Sequence, residues 1–284
     1  MGYSSFFGLS VAAYGMRVDE MMTLLDGITR DMAPLYAELH RWATRRLAER
    51  YGQPVPKGNV PAHWYPNRWA QEWGGLVDGV DLDPHFVGRP PESVVKDAES
   101  FYVSLGFEPL PATFWERSDL YPVPEGQDRH KNSHASAWHV DLDRDVRSLM
   151  SVESNAEWYF TSHHELGHIY YFLSYSRPEV PPVLRDGANR AFHEAIGELG
   201  SLAAGQVPYL QRRGVLPAGV EINTTQAMLA EALTQTVAFV PWSAGVMTHF
   251  EYELYEKDLP PDQWQRRRSE EHTSELQSPC NLVC

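Results

Sequence analysis

The chain has 284 residues, 43% of them hydrophobic, and a formal net charge of −14 from 24 Lys and Arg against 38 Asp and Glu. Such acidity argues against nucleic acid as a partner, because a phosphate backbone is bound by a basic surface, and no apolar run reaches the roughly 20 residues of a membrane-spanning helix. The 2 cysteines, Cys280 and Cys284, both stand in the last few residues, so disulfides are not expected to hold the body of the fold.

Taken in order, Leu25, Ile28, Met32, Leu35, Leu39 and Trp42 step by three and four. That spacing predicts an amphipathic helix running toward Gly52, bent near Pro34. The Pro- and Gly-rich stretches 55–61 and 79–91 are expected loops. Residues 134–140 and 147–152 read as short strands joined by an acidic turn from Asp141 to Asp145. Ser154-Asn155-Ala156-Glu157 reads as a capping box opening a proline-free helix from Asn155 to about Tyr175. A second helix follows the Asp186-Gly187 turn. A third starts at Asn223-Thr224-Thr225 and ends at Pro241, and another covers 242–255. No repeat and no low-complexity linker interrupts the pattern, so one mainly helical fold is expected rather than an assembly of domains.

His164-Glu165-Leu166-Gly167-His168 falls in the middle of the helix expected after Asn155. Residues four apart share one helix face, so both imidazoles can reach one metal ion, with Glu165 beside it pointing at the metal-bound water. A catalytic zinc takes three protein ligands and keeps a fourth position open. Glu194, in His193-Glu194-Ala195-Ile196-Gly197-Glu198 on the next helix, is the best third ligand. Glu198 lies one turn further along the same face, where its carboxylate can accept the N–H of a liganding imidazole. His163 lies about 100° around the helix from His164 and is read as packed beneath the site. His193 is set aside as a ligand because two histidines and a glutamate already complete the set. The competing reading, solvated polar residues on an amphipathic helix, requires cap, motif and spaced glutamates to coincide by accident.

Further residues point the same way: Pro61-Ala62-His63, Asn67, Trp69-Ala70-Gln71-Glu72-Trp73, the segment 101–106, Phe114-Trp115 and His134-Ala135-Ser136-Ala137-Trp138. Leu184-Arg185-Asp186-Gly187-Ala188-Asn189 and Phe192-His193-Glu194-Ala195-Ile196-Gly197 complete the series. From about residue 14 to about residue 265 the chain resembles the angiotensin-converting enzyme family of zinc dipeptidyl carboxypeptidases. The resemblance implies a mainly α, two-lobed fold with a deep cleft and a small antiparallel β ribbon at the site. It implies one zinc ion on His164, His168 and Glu194, with Glu165 as general base. It also implies that the backbone at His134 and Ala135 pairs with an extended peptide substrate cut near its C-terminus. An exposed ribbon edge can accept a peptide in that way; an ordinary two-stranded ribbon is the plainer reading of the same residues. An extracytoplasmic location, periplasmic or secreted, follows from the resemblance alone, and no oligomeric state is indicated. Two alternatives stay open: a zinc oligopeptidase cutting internally in short peptides, and a catalytically silent peptide-binding protein, which would have no chemical reason to keep Glu165.

The chain also departs from this pattern. Residues 268–284 resemble the translation of a sequencing-library adapter, which divides the chain into 1–267, a central fragment of one catalytic domain, and an artefactual tail. Family members continue past this point with a histidine and a tyrosine that stabilise the oxyanion, and a lysine and a tyrosine that clamp the substrate carboxylate. Oxyanion donors are worth about 3 to 4 kcal/mol of barrier, so a weak or inactive catalyst is expected of the chain as written. Met1 is expected to be an internal position or a late start. Val87 stands where vertebrate members carry a carboxylate-binding glutamine, and 242–255 lacks the Trp and Arg of a chloride site. Neither strict exopeptidase specificity nor chloride activation is therefore expected.

Overall fold

A computed structural model describes residues 2–58, 60–65, 73–79, 81–234, 241–264 and 267. Asn67, the run from Trp69 to Glu72, the tail 268–284 and both cysteines lie outside the described residues. Helix α1, Phe6–Ala12, is capped by Ser5, whose hydroxyl accepts the Gly8 N–H at 2.9 Å. Helix α2 runs from Val18 to Arg50, followed later by α3, Pro91–Ser104, and α4, Ala112–Arg117. Strands β1, Ser136–His139, and β2, Val146–Leu149, pair antiparallel with Ser136 opposite Leu149 and His139 opposite Val146. Then come α5, Ala156–Tyr175, α6, Arg190–Ala204, α7, Val207–Arg212, and α8, Thr224–Glu231. A π-helical segment, Pro241–Met247, leads into α9, Thr248–Glu256. Among the described residues the fold is mainly helical with a small antiparallel ribbon, as expected.

Two compact units divide the chain: Met1–Asp81 with Ile222–Cys284, and Leu82–Glu221. In the first, α2 continues unbroken through Pro34. Its buried seam differs from the expected one. Leu35 is 52% exposed, while Tyr36, His40, Ala43 and Leu47 turn inward. The seam shifts because Trp73 offers an aromatic surface, packing against Tyr36 and His40 at 5.6 Å between ring centroids. Aromatic and imidazole rings prefer such a surface to solvent. Val60, Trp64, Tyr65, Leu76 and Leu233 close this core.

The second unit is built on α5, with α3, α6 and the ribbon packed against it. The helix starts where expected but not with the expected cap. Asn155 accepts the Trp158 N–H at 2.8 Å, whereas the Ser154 hydroxyl donates to the Arg89 carbonyl. An Asn at the cap satisfies the same orphan donor, which frees Ser154 to tie down the preceding loop. From α3, the Tyr102 hydroxyl donates to the His163 carbonyl at 2.7 Å and its ring stacks on Tyr170. The other neighbour, α6, is capped by Asn189, which accepts the Phe192 N–H at 2.8 Å. It approaches closely because glycines meet: a Cβ on Gly167 would stand 2.8 Å from the Gly197 Cα.

Both strands are shorter than predicted. The His134 N–H is held by Asn132 Oδ1 at 3.0 Å, so regular pairing starts at Ser136. Beyond β2, Met150 and Val152 donate to the carbonyls of Asp119 and Leu120 at 2.8 and 2.9 Å. Residues 150–152 therefore change partner instead of prolonging the ribbon. The acidic turn forms as expected: Asp141 Oδ1 accepts the N–H groups of Asp143 and Asp145 at 2.8 and 3.0 Å.

Candidate metal centre

The i, i+4 geometry of α5 brings His164 Nε2 within 3.0 Å of His168 Nε2. From α6, Glu194 Oε2 lies 3.3 Å from the first and 3.6 Å from the second. A tetrahedral ion with bonds of about 2.0–2.1 Å to N and O holds its ligand atoms about 3.4 Å apart. The triangle therefore already has the dimensions of one face of such a coordination shell, and the residues fit a zinc-like ion. Among the described residues these three form a group that can hold a metal.

The spacing has a backbone origin. A Cβ on Gly197 would meet the His164 ring at 2.9 Å, and one on Gly167 would meet the α6 backbone. Any larger residue at either position would wedge α6 away and carry Glu194 with it. Glycine at a helix–helix contact costs roughly 0.5–1 kcal/mol against alanine, and here the close approach requires it.

Electrostatics also favour a cation. Burial works against a charge on His164, but the carboxylates of Glu194 and Glu198 outweigh it and raise its pKa. Burial, reinforced by that charge, lowers the pKa of His168. The hydrogen bond from His164 holds Glu194 below the usual carboxylate range. The two carboxylates thus favour positive charge at His164, and a metal ion would compete with a proton there. Glu165 is different. It is buried, its Oε2 has no hydrogen-bond partner, and burial pushes its carboxyl up to about 7, against the opposing charge of His164. His134 lies near enough for its charge to act on Glu165 in the same opposing sense.

Glu198 Oε1 stands 3.4 Å from His164 Nδ1, the ring nitrogen that Glu194 does not approach. His163 is fully buried, with Nδ1 2.7 Å from the Tyr159 carbonyl, packed beneath the site as read from its helical position. His134 is exposed at the start of the ribbon, and its Nδ1 engages the Ala135 carbonyl at 2.8 Å. His193, set aside as a ligand, has its Nδ1 2.8 Å from His168 Nδ1. Its adjacency to Glu194 was the available signal.

The angiotensin-converting enzyme family profile matches residues 2–274, beyond both ends of the span read from motifs. The chain is 33% identical over 254 residues to an angiotensin-converting enzyme of Haematobia irritans exigua, covering 84% of this chain and 41% of that protein. It is 31% identical over 255 residues to an angiotensin-converting enzyme-related protein of Drosophila melanogaster, covering 84% and 39%. Against the angiotensin-converting enzyme of Bos taurus it is 34% identical over 237 residues, covering 77% of this chain and 18% of the bovine protein. The chain thus spans about two fifths of the insect relatives and under a fifth of the bovine one.

Proposed function

The chain belongs to the angiotensin-converting enzyme family, and from that premise we propose that it is a zinc metallopeptidase of the peptidyl-dipeptidase type, acting near the C-terminus of oligopeptides. The observation that carries the reading is the His164, His168, Glu194 triangle with the buried, half-unpartnered Glu165 beside it. Zinc bound there would supply Lewis acidity, polarising the scissile carbonyl, and its charge would favour the ionised form of Glu165.

The residues of the chain account for the rest. Glu165 accepts a proton from the attacking water and returns it to the departing amine nitrogen, so that a peptide and a water become an acid and an amine. Burial raises the carboxyl and a bound cation would lower it again, and a carboxylate under those opposing influences can both take up and return a proton. Glu198 fixes His164 with its proton on Nδ1 and Nε2 turned to the metal. A peptide pairing at His134 and Ala135 would exchange hydrogen bonds with the local turn made by Asn132. An extracytoplasmic location belongs to the same proposal and rests on the family alone.

The test is Glu165→Gln. The variant should bind zinc with the wild-type stoichiometry, and in a protein that also carries the family's C-terminal portion its hydrolysis of an N-blocked tripeptide should fall by about 10²–10⁴-fold. Wild-type turnover in that variant would overturn the mechanism, and mixed internal fragments from a longer peptide would replace the dipeptidase assignment with an oligopeptidase one.

A further inference from the structure

We propose that His193 is a positioning residue for the metal centre: it accepts the Nδ1 proton of His168 and thereby fixes the tautomer in which His168 presents Nε2 to the ion. The inference rests on the zinc reading above and concerns a residue that this reading leaves without a role.

His168 turns Nε2 toward His164 and Glu194. A neutral imidazole that offers one nitrogen to a metal carries its proton on the other, and that proton needs an acceptor. Among the contacts His168 Nδ1 makes, His193 Nδ1 at 2.8 Å supplies one. Accepting there fixes His193 in turn, with its own proton on Nε2, facing the Tyr175 hydroxyl at 3.5 Å.

The surroundings hold His193 to that task. Its ring packs on a ridge of α5 made by His168, Tyr171, Phe172 and Tyr175, with centroid separations of 5.0, 4.7, 4.7 and 6.3 Å. Those positions step by three, one and three, so they continue the metal-binding face of α5 by two turns. Gly187 closes the other side, where a Cβ would meet His193 Cδ2 at 3.0 Å. An imidazole needed only to fill space would not require its Nδ1 aimed at another Nδ1. The two liganding histidines are thus supported unequally. His164 leans on the Glu198 carboxylate and His168 on a neutral ring.

The test uses the full chain and zinc itself, with affinity read by competition against a chromophoric chelator at pH 7.5. Wild-type protein must bind zinc; if it does not, the zinc reading fails before this one is reached. His193→Leu keeps an apolar filling but removes the acceptor, and should weaken zinc binding by about 10- to 100-fold with the melting temperature of the metal-free protein little changed. His193→Asn places Oδ1 where Nδ1 stood and should recover most of that loss. In the zinc form, ¹⁵N spectra should show a slowly exchanging His168 Nδ1–H in wild type and His193→Asn that is lost in His193→Leu. Equal zinc affinity in His193→Leu and wild type would overturn the proposal. So would equal weakening in both variants, since packing alone would then explain the effect.

Discussion

Along α2 charged side chains pair with one another on the surface, Arg17 with Glu20, Arg41 with Glu38 and Arg46 with Glu49. Along α5, by contrast, Ser162, His163, Glu165 and His168 are all buried. Exposed pairs of the first kind contribute little, because water and salt screen them, and α2 takes its stability from one inward seam. Helix α5 is enclosed by α3, α6 and the ribbon, so its polar groups must find partners or shift their protonation equilibria. A helix that only supports a fold can leave its charges in water. One proposed to perform chemistry has to hold them out of water, and its neighbours must be shaped to let it.

The glycines offer the strongest way to break that contrast. In α5, Gly167→Ala drives a methyl against the Gly197 backbone, which has no side chain to move aside. It should destabilise the second unit by about 3 kcal/mol and weaken zinc binding by displacing Glu194. Urea titration with a parallel zinc measurement checks both; an unchanged variant would show that the helices separate freely. At the other end of the scale stands Gly27→Ala in α2. Its Cβ would meet only the end of the Arg30 side chain, at 3.6 Å, and should stabilise the first unit by about 0.5–1 kcal/mol. Destabilisation there would erase the distinction between a helix that needs its glycine and one that tolerates it.

Between these lies a test by acid. His40 is the exception on α2, a buried imidazole with an unpartnered Nε2 and a pKa pushed down to about 4 by burial. Its folded pKa lies below the unfolded value of 6.5, so the stability tied to its neutral form is present above pH 6.5 and lost as pH falls toward 4. Between pH 7 and pH 5 the linkage amounts to about 2 kcal/mol. His40→Phe, which keeps a ring between Tyr36 and Trp73, should lose that much less than wild type over the same interval. Identical pH dependence in the two proteins would mean that His40 is hydrated when folded.

Much of this was readable from residue order because it is local. The polar residues before Ala156, the absence of proline and the four-residue step around Glu165 place α5 even though Asn155 rather than Ser154 caps it, and the Asp186-Gly187 turn announces α6. What escaped depends on partners far along the chain. The seam of α2 is decided by Trp73, and residues 150–152 leave β1 for 119–120. Gly167 and Gly197 look like ordinary helix-weakening glycines until the two helices are seen to meet at them. His193 lay next to a candidate ligand, but its ring direction follows from the aromatic ridge beyond His168, which no spacing rule encodes.

All three ligand atoms of the triangle come from Leu82–Glu221, and from two helices that follow one another in the chain. On the proposed zinc reading, ion binding and the folding of that stretch form one coupled equilibrium. Each tenfold rise in free metal above the dissociation constant adds about 1.4 kcal/mol to the stability of that stretch through mass action. Chelation should accordingly lower the stability of that stretch, read as faster amide exchange along α5 and α6.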